Sequence, residues 1–259
     1  MNYGNFNNFN SQSGYQQYSQ PYGQQYGPLS QADPVVLQST FAVLMRKVYV
    51  WMTLALAVTG LTAYGVANSP SLLEMIFTNQ AVFWVLAIIE LGLVIGLSAA
   101  IGKMSFTTAA IMFIVYSIVN GVTMSFIFIA YTMSSIALTF FISAGTFAGM
   151  AAVGYFIKKD LSGLGKFFMF ALIGVIIASI VNIFLKSSGL EFGISIVGVL
   201  LFAGLTAYDS QKIKDMLMQT GGEVNETTQK IALMGALSLY LDFINLFLYL
   251  LRFLGKARE

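Results

Sequence analysis

The chain has 259 residues, 57% of them hydrophobic and 9% charged, with a mean hydropathy of +0.77 and a formal net charge of +2. Soluble domains carry about a quarter charged residues and need a polar coat, so this composition points to lipid as the solvent. With no cysteine and no histidine, disulfides, thiol catalysis, imidazole ligands and the usual general base are excluded, and the scattered Lys and Arg form no patch for nucleic acid.

Residues 1–34 form a polar tract in which Tyr3, Tyr15, Tyr18, Tyr22 and Tyr26 stand among Gln, Asn and Gly, and Asp33 is the sole charge. Such a segment cannot bury enough apolar area to offset its ordering entropy and is expected to be a disordered tail, not a cleavable signal peptide. A bilayer core takes roughly 20 mostly apolar residues per helix. Seven stretches of the remaining 35–259 meet that length: 48–67, 81–101, 105–130, 134–157, 167–185, 194–208 and 231–251. The expected fold is therefore all-α, a polytopic bundle of seven transmembrane helices. The sixth stretch is short unless it runs on through Asp209 towards Lys214, and Gly221 and Gly222 break the chain before the seventh.

Basic residues set the expected orientation. Arg46 and Lys47 precede the first segment, Lys103 follows the second, Lys158, Lys159 and Lys166 follow the fourth, and Lys212, Lys214 and Lys230 follow the sixth. The alternate loops hold Lys186 with Glu74 and Glu191. The positive-inside rule places the N-terminus in the cytoplasm. Arg252, Lys256 and Arg258 oppose that assignment if the last segment crosses fully; the alternative is a segment that dips in and returns.

Three acidic residues fall within apolar segments: Glu90, Asp209 and Asp242. An intramembrane carboxylate costs about 2.5–3.5 kcal/mol at a helix centre on insertion scales and usually marks a pathway or relay. Asp242 lies too far from either end of its segment to snorkel. Helical stepping aligns it with Ser238, Asn245 and Tyr249 in a polar stripe that lipid would reject, so the seventh segment is expected at the centre of the bundle. Asp209 reads either as a functional carboxylate or as an interfacial one neutralised by Lys212 or Lys214. Glu90 reads either as a protonated structural group or as part of an ion path.

Leu-Thr-Ala-Tyr-Asp-Ser-Gln-Lys-Ile-Lys (205–214) followed by Ala-Leu-Ser-Leu-Tyr-Leu-Asp-Phe-Ile-Asn-Leu-Phe (236–247) resembles the signature pair of the Bax inhibitor-1 (transmembrane BAX inhibitor motif) family. The stretch from Phe41 to Tyr49 is similar to the first helix of that family, and the short loops resemble its prokaryotic branch, which implies a bacterial inner membrane. The resemblance implies six helices around a central C-terminal one. It also implies a pH-sensitive calcium leak, held closed by two aspartates that share a proton. The matching positions are Asp209 and Asp242, with Glu90 at the acidic position of the second helix; the family's latch arginine has no counterpart, since Ile101-Gly102-Lys103 stands there. Two carboxylates in one apolar site cannot both ionise cheaply, and their oxygens suit transient contact with a hard cation such as Ca²⁺.

Counting residues from the nearest lysines opposes the pairing. At about 1.5 Å per residue, Asp242 is ~18 Å from Lys230 but Asp209 is only ~7.5 Å from Lys214. The function expected from the resemblance is a calcium or other cation leak in which Glu90, Ser238 and Asn245 line the ion path. A regulator that restrains a membrane protease or cell-death factor, and a proton-coupled transporter, are the alternatives. No cofactor and no enzymatic activity are expected: the chain lacks the Gly-x-Gly-Asp pattern of intramembrane aspartyl proteases and the histidine of a serine dyad.

Overall fold

A computed structural model describes residues 34–220 and 223–258. The polar tail therefore lies outside the described residues, apart from Pro34, which opens the first helix. Nine helices follow one another among the described residues: α1 Pro34–Ala67, α2 Pro70–Thr78, α3 Gln80–Ala100, α4 Phe106–Met124, α5 Ile127–Ala130, α6 Met133–Phe156, α7 Leu164–Leu185, α8 Ser188–Met218 and α9 Glu226–Leu254. Six are long and apolar enough to cross a bilayer, with α5 continuing the span of α4; α3 supplies a shorter apolar stretch, Trp84–Ala100. The chain is an integral, multi-pass, all-α membrane protein.

Short polar side chains cut these helices apart. The Ser105 hydroxyl accepts from the Thr108 N–H at 3.2 Å at the start of α4, and the Ser187 hydroxyl accepts from Leu190 at 3.3 Å at the start of α8. Asn225 and Thr228 cap α9 reciprocally, each side chain accepting from the other's backbone N–H at 3.0 Å. Each bond satisfies a donor that the first helical turn leaves orphaned, which matters more where no water can substitute. The third expected segment breaks at 125–126 into α4 and α5. The short sixth one runs on without interruption to Met218, so Asp209 lies well inside α8 and not at its end.

The last segment, α9, runs from one end of the bundle to the other. At one end of the bundle the Phe106 N–H donates to Glu226 at 3.0 Å, Lys230 donates to the Met104 carbonyl at 3.1 Å, and Lys47 donates to Gln229 at 3.4 Å. At the other, the Thr132 N–H donates to the Lys256 carbonyl at 3.2 Å, and the Arg258 N–H donates to Ala130 at 2.9 Å. The terminal basic residues are thus folded onto the α5–α6 connection, where the Arg258 side chain also donates to Phe128 at 3.3 Å.

Helix α9 is the core. From Thr228 to Leu251 only Met234 is exposed, and α9 packs chiefly against α1, α4, α6 and α8. The remaining two long elements lie further out, α3 against α4 and α7 against α8. Helix α7 buries only Val175, as expected for a helix whose surroundings are mostly lipid. Rings fill the centre: Tyr240 meets Phe113 and Tyr116 edge-on at 5.7 and 5.9 Å, and Phe243 meets Phe140 and Phe147 at 5.6 Å each.

Candidate functional site: two polar faces of the central helix

Two glycines set how α8 and α9 meet. Ile213 lies so close to Gly235 that a Cβ there would stand 2.9 Å from it, and the Tyr249 ring lies against Gly198 in the same way. This antiparallel register sets Asp209 level with Ser238 and Leu239, so Asp242 is about one helical turn away, roughly 5 Å along the axis. The objection from counting lysines fails because the two anchors lie at different depths. Lys214 is drawn into the bundle, where it donates to the Tyr155 carbonyl at 2.8 Å and sits 5.4 Å from the centre of that ring, whereas Lys230 reaches the α3–α4 turn.

Asp242 is 5% exposed, and its Oδ2 has no hydrogen-bond partner. Asp209 is half-buried, and Lys212 is the basic group acting on it. The two do not close a salt bridge: Lys212 leans over the Tyr208 ring at 5.9 Å, and the salt bridges among the described residues are Lys230–Glu226 and Arg252–Glu191. Next to Asp209, Ser210 is fully buried. The Tyr49 hydroxyl of α1 approaches it, yet Ser210 Oγ also lacks a partner of good geometry. Ser238 and Asn245 are half-buried, the Asn245 amide donating back to Leu241 at 2.8 Å, and Tyr249 stacks on Phe202 of α8 at 5.7 Å. The polar stripe is therefore turned into the bundle. Lys103, at the place of the missing latch arginine, is exposed in the α3–α4 turn.

Glu90 lies apart from this pair. It sits between α3 and α4 and accepts from the Asn120 amide and from the Thr123 hydroxyl at 3.1 Å. Asn120 Oδ1 in turn accepts from the Tyr240 hydroxyl of α9 at 3.0 Å, and Tyr240 is 2.7 Å from Thr59 of α1. A hydroxyl has one proton to give. With Tyr240 donating to Asn120, Thr59 donates to Tyr240, and the Thr59, Tyr240 and Asn120 donors point towards the Glu90 carboxylate, while the Thr123 proton is divided between Glu90 and the Asn120 carbonyl at 2.9 Å. The Ser117 carbonyl, 3.0 Å from Thr59, is the competing target of the Thr59 proton. Tyr240 and Asp242 are about 200° apart on α9, so the two polar clusters occupy opposite faces of one helix.

Sequence reasoning missed Asn120, Thr59 and Tyr240 as partners of Glu90. The available signal was Asn120, an amide in the middle of an apolar segment. Among the described residues no three acidic side chains gather as a metal site.

Comparison with known proteins agrees with the signature residues. The family described as inhibitor of apoptosis-promoting Bax1 matches residues 42–259. Inner membrane protein YbhL of Escherichia coli K12 is 47% identical over 214 residues, covering 83% of this chain and 92% of that protein. A Borreliella burgdorferi protein is 45% identical over 83% of this chain and 92% of its own length, and one from Rickettsia prowazekii is 44% identical over 83% and 90%. The two aspartate motifs, the enclosed C-terminal helix and these matches together place the chain in the Bax inhibitor-1 family, with a bacterial inner membrane protein among its relatives.

Proposed function

We propose that this chain is a pH-sensitive leak for cations, calcium foremost, in a bacterial inner membrane, without enzymatic activity. The observation that carries the reading is the unpartnered Oδ2 of Asp242, buried in the most enclosed helix about one helical turn from the level of Asp209. A buried carboxylate oxygen without a donor costs several kcal/mol unless a proton or an ion satisfies it. One proton shared between the two carboxyls neutralises the pair and ties α8 to α9; the pair then titrates as a unit. When that proton leaves, two like charges about a turn apart repel, the interface loosens, and the freed oxygens suit a hard cation.

Proteoliposomes holding the full chain and a calcium dye test this across a pH series. Wild-type flux should rise as the shared proton is lost. Asp209→Asn and Asp242→Asn keep hydrogen bonding but cannot ionise, so each should flatten the curve. Glu90→Gln should change the rate and leave the midpoint in place, because Glu90 serves the other face of α9. Two Asn variants with wild-type pH curves would end the shared-proton switch, and absence of flux at every pH would end the leak.

The family's description as an inhibitor of an apoptosis-promoting protein favours a second reading, restraint of another membrane protein. Deleting residues 1–34 separates the two: a leak keeps its flux, whereas a docking regulator loses its partner.

The N-terminus is proposed to be cytoplasmic, because Lys103, Lys158, Lys159, Lys166 and Lys230 gather at one end of the bundle. On this cysteine-free chain, Ser162→Cys should label from the cytoplasmic side and Lys186→Cys from the outside. The reverse pattern would invert the protein.

A further inference from the structure

Helices α1 and α6 both pack on α9, yet they leave a groove of about 470 Å³ between them at the end of the bundle that carries Lys47 and Lys214. That volume lies within the roughly 300–1,000 Å³ of ordinary small-molecule sites. Arg46 and Tyr49 of α1 form one wall, and Phe147, Ala148, Ala152 and Tyr155 of α6 the other. The Phe41 and Tyr155 rings stack across its end at 6.0 Å. The alanines leave unfilled the space that larger side chains would have occupied.

The charges at this corner are unequally engaged. Lys47 is held by Gln229, and Lys214 by the Tyr155 carbonyl. Arg46 is exposed and makes no hydrogen bond or ion pair among the described residues. At about 1.5 Å per residue Arg46 lies ~31 Å from Ala67 at the other end of α1, one hydrocarbon thickness, so its guanidinium reaches the headgroup layer. A free guanidinium lining a mostly apolar groove between two helices of membrane-spanning length is complementary to a ligand with an anionic head and an apolar tail. We propose that the groove holds an anionic phospholipid, its phosphate on Arg46 and one acyl chain along Ala148 and Ala152 against Tyr49. Arginine suits this role because its planar fork meets a phosphate with two parallel N–H bonds. Tyr49 then stands between the acyl chain and Ser210, the neighbour of Asp209, although the binding site itself does not depend on the leak reading.

The test measures lipid retention and not flux. The full-length protein, stripped of lipid in detergent, is offered phosphatidylglycerol, diacylglycerol or inorganic phosphate, and bound lipid is counted by native mass spectrometry alongside melting temperature. One phosphatidylglycerol should be retained and raise the melting temperature. Diacylglycerol, which lacks the phosphate, should do so at least about tenfold more weakly, the low end for a hydrogen bond to a charged group, and inorganic phosphate, which lacks the acyl chain, should also respond more weakly. Arg46→Gln should lower retention by a similar factor. Ala152→Trp fills the groove from an exposed position, where the fold has room for it, and should displace the lipid. Unchanged retention in both variants would put the lipid elsewhere and overturn the site. An equal response to inorganic phosphate would reduce it to a surface anion contact. Stronger retention after deletion of residues 1–33 would mean that the chain's own N-terminal segment fills the groove, which also overturns it.

Discussion

Gly154→Ala is expected to destabilise the bundle by about 3 kcal/mol or more, whereas Gly149→Ala on the same helix should be neutral or slightly stabilising. A Cβ at Gly154 would collide with the Ala207 backbone carbonyl of α8, two positions before Asp209, and backbone cannot swing aside as a side chain can. Overpacking usually costs about 1–3 kcal/mol because neighbours shift; here the neighbour is the main chain, so the upper end applies. Gly149 faces open space, and alanine gains up to about 1 kcal/mol of helix propensity over glycine. Thermal unfolding in detergent, read as loss of monodisperse protein, separates the two variants. Equal melting temperatures would mean that α6 does not approach α8 as closely as the geometry places it.

The second large effect concerns the other polar face of the central helix. Asn120→Leu should cost about 2–3 kcal/mol, because it removes a donor to Glu90 while leaving the carboxylate half-buried between α3 and α4. Hydrogen bonds inside membrane proteins average only ~0.6 kcal/mol, so loss of the bond alone would not explain such a cost. The double variant Asn120→Leu with Glu90→Leu removes both members and should recover to within about 1 kcal/mol of wild type, since a well-packed apolar pair can replace a polar one. Tyr240→Phe should cost about 1 kcal/mol, the net worth of a hydroxyl bonded to Thr59 and Asn120. If Asn120→Leu alone matches wild type, Glu90 is served by water or lipid headgroups, and the chain of donors across α1, α9, α4 and α3 carries no stability.

The apolar segments, the all-α class and the placement of the last helix were legible in the sequence, because each rests on a one-dimensional quantity. Span length follows from the bilayer thickness. The inward face of α9 follows from Ser238, Asp242, Asn245 and Tyr249 falling on one helical stripe, which lipid would penalise wherever it met it. The signature residues around Asp209 and Asp242 carry the family resemblance by themselves.

The tertiary structure decided what depends on relative depth. Lysine side chains are poor depth markers because they are long and bond wherever an acceptor lies: Lys214 turns into the bundle to Tyr155, while Lys230 stays at the turn. Only the close contacts at Gly198 and Gly235 fix how far α8 and α9 slide past one another, and that sliding distance brings the two aspartates within a turn. Glu90 likewise gained its meaning from partners distant in sequence, Asn120 on α4 and, through it, Tyr240 and Thr59 on α9 and α1. Hydropathy and periodicity describe one helix at a time, and hydrogen bonds between helices leave no mark on either.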